Sequence, residues 1–335
     1  MRAKRVVFQA VGRVGFEEFE IPDPGRGEAL IRTVKTLIST GTELTILTGS
    51  YPQGSHWARY GRLPHRPGYS AVGVVEKLGE GVEGFKPGDL VTSMTGHAQY
   101  SVVDAGQLVR VPESVDTEWA AFHTIAGGVI NAVRLADISI GECVVVIGAG
   151  LLGQFATMFS RFSGAYPVIT VDLSDFRLEK AKRSGAHITV NPSRSSVEEV
   201  VSRVTDGRMA DVVFEVTGNP EVIPMGLRLT RRMGRFIVLS SPRGPSHVDF
   251  HDEVNYPSRV IIGAHFTSQP LHEHPKTPWT RERNRSLFLT LLAERLITVE
   301  HLITHRYPWF DAPQAYEMLT RQRTKALGVI LDFTA

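Results

Sequence analysis

Cysteine is almost absent from this chain: Cys143 is the only one among 335 residues. A single thiol cannot close an intrachain disulfide or build a zinc site from two or more thiolates, and it fits a reducing compartment. Long apolar runs are missing as well. The N-terminus carries charge but no apolar stretch of signal-peptide length, and no later run approaches the roughly 20 residues of a membrane helix. The expected location is the cytoplasm, without membrane contact. Neither charge is in excess: 37 Lys and Arg stand against 35 Asp and Glu, spread out instead of gathered into a tract, which argues against nucleic acid as a partner. Internal repeats and low-complexity segments are lacking too.

What is present is enough for two domains, since the length is about twice that at which a single core stops growing and 42% of the residues are apolar. Up to about Pro112 brief apolar runs (29–34, 71–78, 90–94, 99–103 and 108–111) alternate with Gly and Pro, the texture of a small, irregular antiparallel barrel. From Glu118 the pattern changes. Apolar runs at 143–147, 168–171, 211–215, 236–240 and 260–262 lack period-two alternation, and helical stripes at 150–163, 176–184 and 197–204 separate them. Strand, helix, strand in that order predicts a doubly wound α/β domain with a parallel sheet. Helices at 283–295 and 313–320 and a strand at 327–333 form a tail too short to fold alone, so it is expected to return to the first domain. The expected division is 1–116 with 293–335 in one domain and 117–292 in the other.

The strongest chemical signal is Gly148-Ala-Gly150-Leu151-Leu152-Gly153, directly after an apolar strand and directly before an amphipathic helix. Gly148 permits the tight turn, Gly150 lets backbone approach a pyrophosphate, and Gly153 lets helix pack on strand, while the helix end offers unpaired N–H groups to the anion. Asp172 ends the next strand about 20 residues further on, where it can accept from ribose hydroxyls and repel a 2′-phosphate. NAD is therefore expected ahead of NADP. Arg177, five residues on, could turn toward a 2′-phosphate, though its offset places it on the first helical turn, facing solvent. Thr217, Ser240 and Ser241 lie at further strand ends and are expected along the cofactor.

With Gly68-Tyr-Ser-Ala-Val-Gly-Val-Val-Glu76, Gly84-Phe-Lys-Pro-Gly-Asp89, the 148–153 triplet and Asp311-Ala-Pro-Gln-Ala-Tyr316, the chain resembles the medium-chain dehydrogenase/reductase family nearly end to end. The resemblance implies a GroES-like catalytic domain made from both chain ends, a Rossmann domain between them, an active site where the two meet, and homodimers or homotetramers. Zinc-dependent members carry Cys-Gly-Ser/Thr-Asp where this chain reads Thr40-Gly41-Thr42-Glu43, and Gly-His-Glu where it reads Gly68-Tyr69-Ser70. Their third ligand matches Thr124. All three ligands are replaced, so the chain is similar to a zinc-free branch, with some likeness to sugar, polyol and bacteriochlorophyllide dehydrogenases.

Without a metal, oriented hydrogen bonds and a base must stabilise the charge that develops on oxygen. His123, beside Thr124, is the first candidate for moving the proton, with the bland alternative of a buried helix histidine; Thr42, Glu43 and Tyr69 follow. Thr40, His65, Thr124, His265 and Trp279 are expected to line the small-molecule site, the last two on a polar, aromatic-bearing loop that includes 275–279. The expected activity is zinc-independent, NAD-dependent interconversion of a secondary alcohol and a ketone on a sugar, cyclitol or polyol. Two alternatives stand beside it: NADPH-dependent reduction of an activated C=C bond, and a non-catalytic dinucleotide-binding protein.

Overall fold

The hairpin β1 (Arg2–Ala10) and β2 (Arg13–Glu20) comes first, followed by β3 (Glu28–Leu37), α1 (Thr42–Thr48), α2 (His56–Tyr60), β4 (Ala71–Leu78), β5 (Leu90–Ser93), β6 (Tyr100–Asp104) and β7 (Val109–Arg110). Next are α3 (Thr117–Ala120), α4 (His123–Leu135), β8 (Val144–Ile147), α5 (Leu151–Phe162), β9 (Val168–Val171), α6 (Asp175–Arg183), β10 (Ile188–Val190), α7 (Val197–Val204) and β11 (Ala210–Glu215). The chain closes with α8 (Ile223–Leu229), β12 (Thr230–Val238), β13 (Val260–Gly263), α9 (Arg281–Ala293), β14 (Ile303–Pro308), α10 (Ala312–Gln322) and β15 (Gly328–Asp332). The structure, a computed structural model, describes residues 2–275 and 277–335.

Two compact units result, one from the chain up to Ile125 together with Arg281–Ala335, the other from Ala126–Thr280. In the first, strands run in the order β14-β15-β3-β4-β5-β7, with β6 also paired to β3. The C-terminal tail enters this sheet through β15, antiparallel to β3 with Ile330 opposite Leu37. Val6, Phe8, Ile38, Leu44, Ile46 and Tyr316 lead one buried cluster of this unit; Ala29, Ile31, Val75 and Val91 belong to a second. The divisions at 125/126 and 280/281 differ from the expected 116/117 and 292/293. The reason at the second is α9: its Arg285 is fully buried and donates to Gln107 O at 2.8 Å and to Thr92 O at 3.0 Å, both in the barrel unit.

The second unit is a six-stranded parallel sheet in the order β10-β9-β8-β11-β12-β13. Val144 to Ile147 and Val168 to Val171 are wholly buried, as strands covered on both faces must be. The strand at β10 escaped the sequence reading because its three residues make no apolar run. The fold is thus α/β: a GroES-like barrel and a doubly wound Rossmann sheet. Among the described residues no helix is long and apolar enough to cross a membrane.

Candidate functional site

The turn from β8 into α5 is shaped by its glycines, each for a different reason. Gly148 has φ +108°, and a Cβ there would stand 2.9 Å from Thr217 Cγ2. A Cβ on Gly153 would lie 1.8 Å from Gly148 O, so only glycine lets helix meet strand so closely. A Cβ on Gly150 would meet nothing within 4 Å. Gly150 is also the N-cap of α5 and makes no side-chain cap bond, which leaves the first-turn N–H groups facing open space bare of any Cβ. Leu151 is buried and Leu152 half-buried, so the pair anchors the helix start and leaves the anion to the backbone. This cradle fits a pyrophosphate: Gly148, Gly150 and the α5 N-terminus would hold it.

Asp172, at the end of β9, accepts from Ala149 N at 2.7 Å and from Ser174 N at 2.8 Å. Its carboxylate therefore braces the glycine turn and the start of the next helix. Arg177 corrects the expectation of a solvent-facing guanidinium: it is half-buried, and burial lowers its pKa while the Asp172 charge opposes that shift. Thr217 and Ser240 are held by a residue the sequence reading passed over. Glu215 is fully buried at the end of β11, accepting from Thr217 N (2.6 Å), Thr217 Oγ1 (2.5 Å), Gly218 N (3.0 Å) and the Ser240 hydroxyl. Both hydroxyls thus shape the strand ends, and Ser241 is half-buried beside them.

In the barrel unit a cluster of hydroxyls gathers around Tyr69. Its place is set by Gly68, where φ is +95° and a Cβ would come within 2.8 Å of His97 N. On the other side Thr124 Oγ1 donates to Tyr69 O at 2.8 Å, and Ser70 Oγ donates to Ala121 O at 2.7 Å. The phenol donates to Thr42 Oγ1 at 3.3 Å and is hydrogen-bonded to Ser39 Oγ. Either hydroxyl of the Ser39–Tyr69 pair can be the donor. Burial raises the Tyr69 pKa to about 12; the Ser39 and Thr42 hydrogen bonds pull it down and the Glu43 charge pushes it up. The hydroxyls that meet Tyr69 are thus Ser39 and Thr42; Thr40, expected to line the small-molecule site, is half-buried with no side-chain hydrogen bond among the described residues.

Glu43 lies beneath this cluster, 1% exposed, and every donor it needs is supplied internally. Oε1 accepts from Ser39 N at 2.8 Å; Oε2 meets His97 Nε2 at 3.1 Å and accepts from the Tyr316 hydroxyl. Because a carboxylate only accepts, Nε2 of His97 carries a proton, and Nδ1 pairs with Thr36 Oγ1 at 2.7 Å. Glu43 is thus a buried anchor of the Ser39 turn instead of a group that reaches substrate. His97 and Tyr316 were not singled out in the sequence, because their partners lie 54 and 273 residues away.

His123 was the first expectation for proton transfer, and its surroundings correct it. The ring is fully buried, and Nδ1 accepts from Arg285 Nε at 2.9 Å. Burial, with the Arg285 charge, drives its pKa well below the ordinary value, while the carbonyls of Ala71 and Ser93 oppose the shift. A ring held neutral by a cation on one nitrogen cannot shuttle a proton. The folded pKa is depressed, so the unfolded chain binds more protons below about pH 6.5 and stability falls as pH drops through that range. Urea unfolding near pH 7.5 and 5.5 should show a smaller loss in His123→Gln than in the parent; equal losses would contradict the assignment.

The remaining expected residues are also placed. Thr124, fully buried, fixes the Tyr69 backbone and cannot contact substrate. His65 packs half-buried between Phe8 (ring centroids 6.1 Å) and Tyr60 (5.6 Å), and burial lowers its pKa. In the second unit, His265 is exposed and caps a short turn through Thr267 N at 3.3 Å. Trp279 has one face covered by Arg134, whose guanidinium carbon lies 3.4 Å from the ring centroid. Lys276, in the same predicted loop, lies outside the described residues. Among the described residues no three His, Cys, Asp or Glu side chains are grouped as a metal site. The three former ligand positions carry the hydroxyls of Thr40, Tyr69 and Thr124, and neutral hydroxyls are poor partners for Zn²⁺, which takes thiolate, imidazole or carboxylate. The donor set does not fit a catalytic zinc.

Residues 25–113 match the alcohol dehydrogenase GroES-like domain, and residues 152–277 match the zinc-binding dehydrogenase family. L-threonine 3-dehydrogenase of Pyrococcus horikoshii is 31% identical over 92% of both chains. The chain belongs to the medium-chain dehydrogenase/reductase family. Solved structures agree in fold. An alcohol dehydrogenase from Escherichia coli CFT073 in complex with NADH superposes with a TM-score of 0.83 at 21% identity, covering 99% of both chains. Galactitol-1-phosphate dehydrogenase from Escherichia coli gives 0.82 at 22% identity, covering 98% of this chain and 99% of that one. This member of the family is an alcohol oxidoreductase.

Proposed function

We propose that the protein interconverts a secondary alcohol and a ketone with NAD(H), without a catalytic metal, and that the Tyr69 hydroxyl moves the proton. The observation that carries this reading is the Ser39–Tyr69–Thr42 hydroxyl cluster, built around Tyr69 at the position where zinc-dependent relatives place the histidine ligand. A bound NAD(P)H supplies the hydride. As the carbonyl carbon accepts it, negative charge grows on the carbonyl oxygen, and the Tyr69 proton passes to that oxygen. The long 3.3 Å bond to Thr42 is weak enough for a carbonyl to replace it, while Ser39 stays as donor to the phenolate that forms. A phenol with a pKa near 12 remains protonated at neutral pH, which suits ketone reduction. Half-buried Thr42 then provides the way back for a proton from solvent.

A sugar, cyclitol or polyol is the favoured substrate class, supported by relatives named for L-threonine and galactitol 1-phosphate, both of which carry secondary hydroxyls. The choice of NAD over NADP rests on Asp172, whose charge would face a 2′-phosphate. Asp172→Ser should narrow the preference about tenfold by weakening NAD(H) more than NADP(H), although loss of the Ala149 N bond weakens both. The test of the whole reading is to remove metals with a chelator, confirm the metal content, and follow reduced nicotinamide with panels of polyols, their ketones and enones. Turnover of polyols or ketones with NAD(H) in metal-free protein is the expected result. Activity that returns only with stoichiometric Zn²⁺, or turnover restricted to enones with NADPH, would overturn it.

A further inference from the structure

The phosphate cradle lacks a cation of its own. Gly148 through Gly153 contributes no charged side chain, and a helix N-terminus is worth only about half an elementary charge. A pyrophosphate carries about two negative charges, so most of its charge is left to be met from elsewhere. Arg177 is already in the field of Asp172, at the end of β9.

Arg243 is placed differently. It follows β12 and folds back over the turn that ends β11: its backbone N–H donates to Gly218 O at 3.1 Å, and Nη2 lies 3.4 Å from Thr217 O, at the limit of a hydrogen bond. Half-buried, it forms no ion pair among the described residues. Its seat depends on glycine, because a Cβ on Gly218, where φ is +70°, would stand 2.7 Å from Arg243 Nη1. Glu215 does not neutralise it; that carboxylate lies under the turn and is taken by Thr217, Gly218 and Ser240. The same turn abuts the cradle, since a Cβ on Gly148 would meet Thr217 N at 3.4 Å. Cradle, Thr217, Gly218 and guanidinium therefore follow one another at the carboxyl ends of adjacent strands, where open parallel sheets bind ligands.

We propose that Arg243 is a phosphate-contacting residue of the dinucleotide site, its guanidinium facing the pyrophosphate oxygens of a cofactor seated on the α5 N-terminus. The inference rests on the dinucleotide reading of this unit. Nothing in the glycine motif announces it, because the residue lies some 90 positions downstream of the triplet and reaches it only through the turn at 217–218.

Binding alone tests the proposal. NADH, NAD⁺ and ADP-ribose are titrated calorimetrically into the parent, Arg243→Gln, Arg243→Met and Arg243→Lys, with adenosine followed by ligand-observed NMR and the melting of each unliganded protein recorded. The Gln and Met variants should weaken all three pyrophosphate ligands about tenfold, leave adenosine unchanged and flatten the salt dependence of binding; Lys should fall between. Met serves if Gln melts early. ADP-ribose affinity unchanged in a folded variant overturns the proposal, as does tightening confined to NAD⁺, which would place the guanidinium against the nicotinamide ring. If the parent binds adenosine but no pyrophosphate ligand, the dinucleotide reading itself fails.

Discussion

Tyr69→Phe is expected to lower kcat about a thousandfold in either direction while cofactor affinity stays within twofold of the parent, since a positioned acid or base contributes roughly 10² to 10⁴. The substitution removes one oxygen and leaves the ring. The backbone around it is set by Gly68, Thr124 and Ser70, none of which contacts that oxygen. Ser39 loses a hydrogen-bond partner, a loss of about 1 kcal/mol of stability, small beside the catalytic effect. The sharper readout is pH dependence. In the parent, any limb that titrates in the neutral range should survive His123→Gln, because that ring is already neutral, and activity above 10% in Tyr69→Phe would remove the phenol from the mechanism.

The second large effect separates two glycines only three residues apart. Gly153→Ala puts a methyl 1.8 Å from Gly148 O, a backbone atom that cannot swing away, so helix α5 must move off β8. Alanine gains about 1 kcal/mol of helix propensity at that position, but overpacking of this severity costs about 3, so the clash wins and the protein unfolds more easily. Gly150→Ala meets nothing within 4 Å, and its φ of −68° suits any residue. Its stability should stay within about 0.5 kcal/mol of the parent. Its methyl, however, enters the space a pyrophosphate would occupy, and NADH affinity should fall at least tenfold. Thermal melting and calorimetry separate the two. A Gly150→Ala protein that binds NADH as the parent does would show that the phosphates lie elsewhere.

The sequence carried the Rossmann unit well because its signals are local. Apolar strands of four residues, the glycine triplet and Asp172 all act within about 25 residues of one another, and each has a backbone or burial reason that survives any tertiary context. The short β10 and the exchange of a solvent-facing for a half-buried Arg177 are the exceptions, and both depend on neighbours instead of period.

The barrel site was legible only as a set of positions. Replacement of metal ligands by hydroxyls could be read from Gly68-Tyr69-Ser70 and Thr40-Gly41-Thr42-Glu43 through the family resemblance, but which hydroxyl faces Tyr69 could not. A one-residue difference between Ser39 and Thr40 turns a side chain to the other side of the backbone, and the Glu43 bond to Ser39 N decides it. His123 shows the same limit more plainly. A helix histidine beside a former ligand position reads as an acid or base until Arg285, 162 residues away, is seen to donate to it.

By itself, then, the sequence determined the α/β class, the glycine turn between β8 and α5, and the loss of thiolate chemistry, since glycine conformation, strand burial and cysteine number are properties of the chain. Tertiary structure alone decided which polar groups are buried and satisfied, and so unavailable (His123, Glu43, Thr124), and which stay only half-buried (Tyr69, Arg243). Protonation and reach depend on desolvation and on partners brought from distant positions, and no local pattern of residues encodes those.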